Sequence, residues 1–436
     1  MKFGIFYEHQ LPRPWTEDSE YNLVQEALDQ VELADRLGFD CAWEVEHHFL
    51  EEYSHSSAPE VFLAAASQRT RNIRLGHGIC LTAPRYNQPA RVAERLGMLD
   101  LVSGGRVEWG SGESGSLMEM AGFGIDPPQK HAMWREATEQ IANMMTMSPY
   151  PGFQGEHFAM PPRNVLPKPR QKPHPPMWLA CSRRDSILRA ARYGMGALVF
   201  GFVTPEQAGE WVKEYYDIIR SDQCVPIGHT VNANFACLAG MSVHPDRSVA
   251  MERGIDGFRF FGYSLAHYAI FGVHRPGVTN VWEAYEKVRD QMPPTPGESC
   301  IGTPEEVLAN LKPYGEAGVD QMIFIQQCGK NRHEHIAESM ERFSAGVMPW
   351  FKEREAEREA RKLAELAPYF EAALARKPRM ALLAAADIPE VISLGRKLQQ
   401  ESGLDYSNAG GVYADKTRGG SIPVPMVDPA LMKARG

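Results

Sequence analysis

Short apolar runs alternate with helix-period segments eight times along this chain, and that alternation limits the folds open to it. KFGIFY (2–7) is short, apolar and aromatic, and reads as a buried strand. In YNLVQEALDQVELADRLG (21–38), Leu23, Ala27, Leu28, Val31, Ala34 and Leu37 recur at helical spacing, and Gly38 supplies the stop. The pair repeats, with strands at 39–45, 73–81 and 105–112 and helices at 58–70 and 89–103. After a longer connection come strands at 177–182, 196–201, 231–243 and 319–327 and a helix at 185–194. Two further helices open on capping boxes, Thr204-Pro205 with Gln207 and Thr303-Pro304 with Glu306. Strand alternating with helix is the pattern of a parallel sheet covered by helices. Eight such units predict an α/β fold, a closed (β/α)8 barrel of the TIM type. An open doubly wound sheet is the alternative, and the count favours closure.

Two regions interrupt the repeat. Residues 245–300 form an insertion before the eighth strand, rich in aromatics (Phe258, Phe260, Phe261, Tyr263, Tyr268, Phe271), with His267 and Tyr268 as polar groups among them. Segments of this kind serve as lids or binding loops, and a local packing cluster is the plainer reading. From 352 to 436 the chain changes character. KEREAEREARKLAELAPYFEAALARK is charged and helix-prone, and the remainder, with GG pairs and SIPVPMVDP, looks extended. The domain reading is therefore a barrel over 1–351, with 245–300 as insertion or lid, and a helical and extended tail over 352–436. The tail reads either as an arm on a partner subunit or as a disordered end.

The formal net charge of −9 argues against a nucleic-acid binder, which needs a basic footprint. Seven scattered cysteines without a CxxC pair fit reduced thiols. The start lacks a signal-peptide core and no apolar run reaches membrane-spanning length, so the expectation is a cytoplasmic protein with no membrane partner.

Three stretches carry chemistry. CAWEVEHHF (41–49) ends a buried strand on Glu46, His47 and His48, where a barrel places its catalytic groups. An imidazole there can give or take a proton near neutrality. A metal site is disfavoured, because adjacent histidines on a strand end point to opposite sides; ordinary hydrogen-bonded packing remains open. GSGESG (110–115) literally matches GxGxxG, but it follows the fourth strand and breaks at GFGIDPP (122–128) before a full crossover helix, against the dinucleotide reading. Its glycines still allow close approach of backbone to a ligand. ACSRRDS (180–186) sets Ser182, Arg183 and Arg184 at a helix start, which suits a phosphate, or else a solvated cap on Asp185.

Together these stretches resemble the bacterial luciferase-like family of flavin-dependent monooxygenases. The matching residues are the MKFGIF start, GFDCAWEVEHHF (38–49), RLGHGICL (74–81), PARVAERLGMLDLVSGGR (89–106), PPMWLACS (175–182), IGTPEEV (301–307) and VMPWF (347–351), so the likeness covers roughly residues 1–351. The resemblance implies a TIM-type barrel that takes reduced FMN (FMNH2) from a separate NAD(P)H-dependent flavin reductase. Such proteins react it with O2 to a flavin-4a-hydroperoxide, oxygenate a hydrophobic small organic substrate, and work as homodimers or homotetramers. It makes His47 the catalytic histidine, with Glu46 orienting it or touching the flavin ring. Gly78 and Ile79 match the backbone against which the ring lies, often with a non-proline cis peptide. Cys181 and Ser182 match the phosphate-contacting pair. The sequence also departs from luciferase. Cys181 replaces an acid, Glu113 replaces an arginine whose role falls to Arg183 or Arg184, and Gly112 stands at luciferase's cysteine. A deazaflavin-dependent oxidoreductase on the same barrel, or a non-catalytic flavin-binding protein, is the alternative.

Overall fold

The computed structural model describes residues 1–393 together with 397, 400 and 401. Residues Met1–Leu382 form one compact unit and Leu383–Gly436 a second. Eight strands make the barrel: β1 (Lys2–Tyr7), β2 (Cys41–Glu44), β3 (Arg74–Leu81), β4 (Val107–Gly112), β5 (Met177–Cys181), β6 (Gly196–Val199), β7 (Phe235–Val243) and β8 (Gln321–Gln327). All pair in parallel in chain order, and β8 pairs β1, so the sheet closes as the strand count predicts. A three-residue strand, Cys300–Gly302, extends β7 at its far end.

Alternation along each strand divides the core into two layers. Phe3, Ile5 and Tyr7 of β1 face the surrounding helices, as do Ala42, Leu75, Val107 and Leu179. Phe6, Cys41, Trp43, Trp178, Leu198, Leu238, Ile323 and Ile325 fill the barrel's interior. Two indoles dominate that interior, Trp43 and Trp178, edge to face at 5.3 Å. Glycines on the next strands make room for them. A Cβ on Gly76 would lie 2.3 Å from the Trp43 ring, and one on Gly196 would lie 2.4 Å from the Trp178 ring. These glycines are therefore set by packing, not by backbone conformation.

The outer ring begins with α1 (Ser19–Leu37), α2 (Pro59–Arg69) and α3 (Pro89–Val102), continues with α4 (Leu117–Gly122), α5 (Lys130–Thr146), α6 (Arg184–Arg192) and α7 (Pro205–Ile219), and passes through the insertion. Residues 245–300 are largely helical, with α8 (Arg247–Ala266), a π-helical turn (His267–Phe271) and α9 (Val281–Glu286). Phe258, Phe260, Phe261, Tyr268, Trp282 and Tyr285 join the interior cluster, so the segment is continuous with the barrel's own core. Glu52, fully buried on the loop after β2, accepts from the backbone N–H of Val281 (2.6 Å), Trp282 (3.1 Å) and Arg13 (2.9 Å). Its carboxylate thus caps α9, a favourable place for negative charge.

The chain finishes this unit with α10 (Pro304–Glu316), α11 (His333–Gly346) and α12 (Met348–Arg376). The charged stretch read as helix-prone is α12. It packs Phe351, Leu366 and Ala373 inward and crosses the end of the barrel where the strands begin. There Asp320 accepts from Phe235 N (2.8 Å), Tyr216 Oη (2.6 Å) and Lys362 Nζ (3.0 Å), joining α12 to β7 and β8. In the second unit, Ala385–Asp387 is a 3-10 turn; the extended reading of SIPVPMVDP (421–429) lies outside the described residues.

Candidate active site

The strands' C-terminal ends gather one polar cluster. Cys41 and Trp43 of β2, and Val45 just beyond it, face the barrel interior, so two-residue alternation turns His47 the same way and Glu46 outward. Glu46 accordingly bonds sideways. Its Oε2 accepts from Leu81 N (2.8 Å), and its Oε1 accepts from Asn87 Nδ2 (2.7 Å) and pairs with His48 Nε2 (3.1 Å). It braces the end of β2 against the end of β3, and His47's orientation comes from elsewhere.

His47 Nδ1 donates to Glu119 Oε1 at 2.8 Å, and its Nε2 lies 3.6 Å from Glu8 Oε2. Glu119 sits on α4, fully buried; it also accepts from His48 N (2.9 Å) and Ser114 Oγ (2.5 Å). Glu8 follows β1, and Tyr53 Oη donates to its Oε1 at 2.7 Å. The imidazole itself is 22% exposed and stands edge-on to Tyr53 at 5.5 Å.

The charges follow from this geometry. Burial alone would lower the His47 pKa, but the Glu119 and Glu8 carboxylates overcome it and hold it up at about 9. Burial would raise Glu119; the His47 charge and the hydrogen bonds from His47, Ser114 and His48 bring it below the ordinary carboxylate value. Burial pushes Glu8 up to about 7, against the opposing effects of His47 and Tyr53. At neutral pH the site therefore holds an imidazolium between an ionised carboxylate and one that is partly protonated. His47's folded pKa exceeds its unfolded one, so the stability its pairing contributes is complete below about pH 6.5 and is lost as pH rises through about 9. Glu119→Gln should move the His47 midpoint from about 9 toward the ordinary 6.5, read by side-chain nitrogen NMR through a pH series. An unmoved midpoint would give the control to Glu8.

The remaining expected cofactor contacts are spread along the same rim. Gly78 and Ile79 sit at a β-bulge, where β3 carries one residue more than β4 between the His77–Trp109 and Cys80–Ser111 pairs. Their peptide is trans; the cis bonds among the described residues all precede proline. The bulge already gives the local change of direction, and Ile79 is left half-buried toward the interior cluster. Gly112 faces it, and a Cβ there would lie 2.6 Å from Ile79 Cδ1. Cys181 is fully buried in the layer between strands and helices, and its Sγ donates to Leu179 O at 3.3 Å. Its thiol is turned away from the rim, and burial raises its pKa. Ser182 and Arg183 are exposed at the start of α6, where the cap falls on Arg183 and not on Asp185. Arg184 is turned to Glu214 of α7, with contacts of 2.8 and 2.5 Å. Glu113, standing where the resemblance has an arginine, is ion-paired with Arg189 (2.9 Å) and contacts His131 Nδ1 (2.7 Å).

Glu8, Tyr53, Glu119 and Arg189 were absent from the expected set. Glu8 carries the same signal as Glu46, an acid directly after a buried strand, and Glu119 is the lone acid in SLMEM.

The profile of the Luciferase-like monooxygenase family matches residues 1–321. The chain belongs to this family. A solved monooxygenase, RslO1 from Streptomyces bottropensis, shares 27% identity at a TM-score of 0.65, covering 80% of this chain and all of that one. The oxygenase component of flavin-dependent trigonelline monooxygenase from Acinetobacter baylyi is 25% identical over 82% of this chain and 98% of its own. An F420-dependent glucose-6-phosphate dehydrogenase from Amycolatopsis mediterranei is 24% identical over 67% and 85%. Membership places the chain among the luciferase-like flavin-dependent oxidoreductases. No helix among the described residues is long and apolar enough to cross a membrane.

The residues present fit a flavin. Ile79, Phe200 and Phe202 are half-buried apolar groups at the end where His47 points inward. Ser182 and Arg183 stand at the N-terminus of α6, the end of a helix that favours an anion such as a phosphate.

Proposed function

We propose that this protein is the oxygenase component of a two-component monooxygenase, taking reduced FMN from a separate NAD(P)H-dependent reductase and oxygenating a hydrophobic small organic substrate. The observation that carries this reading is the imidazolium at the barrel rim, fixed at Nδ1 by Glu119 and left with Nε2 directed toward Glu8. A bound reduced flavin would supply electrons to O2. The chain's own residues do the rest. Ile79, following Gly78 in the bulge, and the Phe200 and Phe202 rings would hold the isoalloxazine, and Ser182 and Arg183 its phosphate, with Gly112 letting Ile79 pack close against the wall from which it reaches the ring. His47 holds a proton at Nε2 for delivery or for hydrogen bonding, and Glu119 keeps the imidazole in the orientation and charge state that allow it. The aromatic insertion covers the rim and excludes water. A homodimer or homotetramer belongs to the same reading.

The deazaflavin alternative draws on the F420-dependent relative. Anaerobic titration with reduced FMN and with reduced F420, followed by mixing with air-saturated buffer, separates the two. The FMN reading expects tight binding of reduced FMN and oxygen uptake that depends on it. Binding of F420 alone, without oxygen uptake, would overturn it.

A further inference from the structure

In the cluster around His47, one buried carboxylate oxygen has no hydrogen-bond partner among the described residues. Glu8 is 2% exposed; its Oε1 accepts from Tyr53 Oη at 2.7 Å, and its backbone carbonyl accepts from Ser54 Oγ at 2.7 Å. Its Oε2 is buried without a hydrogen-bond partner. Alternation from Gly4 and Phe6 turns this side chain toward the barrel interior, and the nearest donor, His47 Nε2, is 3.6 Å away, beyond hydrogen-bond reach. An unpaired oxygen in such a place is costly, and buried polar groups are otherwise paired.

We propose that Glu8 determines substrate specificity: its Oε2 accepts a hydrogen bond from a hydroxyl on the organic substrate, and the oxygen of that hydroxyl accepts from His47 Nε2. The substrate class is then hydroxylated apolar compounds, phenols and alcohols. The inference rests on the site being the substrate-binding site of the proposed monooxygenase.

A hydroxyl is the smallest group that is donor and acceptor at once. With Glu8 ionised, above about pH 7, an ether or ketone can accept from His47 but would set a lone pair against Glu8, so the comparison is made at about pH 8. A hydrocarbon serves neither. The surroundings suit an apolar body. Phe6 packs on Phe200 at 5.4 Å, and Tyr53 packs on Phe261 at 5.6 Å, Phe261 being part of the insertion. The charged groups acting on Glu8 are His47, Glu44 and Glu119. Two of these three are acids, so a substrate group that brings a proton toward Oε2 is favoured over one that brings another lone pair. The raised pKa of Glu8, about 7, agrees with a carboxylate short of donors. Sites built to bond a hydroxyl discriminate strongly against analogues that lack it.

Calorimetric titration of 2-naphthol, 2-methoxynaphthalene and naphthalene, into cofactor-free protein and into protein saturated with oxidised FMN, tests this. The expected result is binding of 2-naphthol at least ~10-fold tighter than either analogue. Glu8→Leu should erase that preference, while Glu8→Gln, which keeps an acceptor oxygen, should retain part of it. Equal affinities in the wild type, no binding of 2-naphthol, or a preference unchanged in Glu8→Leu would each overturn the proposal. Titration of reduced FMN into the same proteins separates the two levels. Binding of reduced FMN under anaerobic conditions without a naphthol preference removes this inference alone, whereas failure to bind reduced FMN removes the reading beneath it.

Discussion

His47→Ala should cut product formed per reduced flavin by about 10²–10⁴-fold while oxygen continues to be consumed. The imidazole is held protonated at neutral pH by two carboxylates, and its Nδ1 bond to Glu119 leaves Nε2 to act. Removing the ring leaves Glu119 buried, with Ser114 and the His48 amide as its donors. Without a proton held at Nε2, oxygenation of the substrate would fail while O2 is still reduced, taking up two electrons and two protons and appearing as hydrogen peroxide. Coupled assays of oxygen uptake, peroxide release and product read this directly. An unchanged product yield per flavin would end His47's assignment. His47→Gln serves as a companion, since it keeps a donor without the charge.

Gly110→Ala should destabilise the protein by about 3 kcal/mol or more, the upper range of overpacking. A Cβ at residue 110 would lie 2.1 Å from the backbone carbonyl oxygen of His77 and 3.1 Å from Ile79 Cγ2. The nearest obstacle is main chain of the neighbouring strand, with no side chain that can swing aside. Chemical denaturation at constant m would show a lower midpoint. A wild-type midpoint would mean that the bulge at Gly78–Ile79 can slide to make room. Gly112 sits under the same bulge, against Ile79. Two glycines of GSGESG are therefore explained by the crowding of β3 on β4, and only Gly115 has open space.

That motif illustrates how far the sequence could be read. The strands were legible because period-two and period-3.6 patterns are local, and so were the capping boxes at Thr204 and Thr303, whose side chains do accept from Gln207 N and Glu306 N. The position of His47 was legible from where its strand ends. Its partners were not. Glu119 lies 72 residues away and reaches the imidazole only because β4 neighbours β3 and β3 neighbours β2. Glu46 was expected to orient His47 or touch the flavin ring; strand alternation, already the argument against a two-histidine metal site, turns it to Leu81 and Asn87, so it does not orient the imidazole. Cys181 is a similar case, since Trp178 facing inward and Leu179 outward fix its parity toward the helices. The insertion was recognised by its aromatics, but those rings fit helix and loop equally well, and its helical state emerges from packing on the barrel core.

Adjacent acids after β2 tie the insertion to the site. Glu52 grips the start of α9, while Glu51 accepts from Gly277 N at 2.6 Å and from Arg13 Nη2 at 2.6 Å. Both acids stand on the short loop that follows His47. A substitution that displaced α9 would be felt first at these two carboxylates, a few residues of main chain from the imidazole.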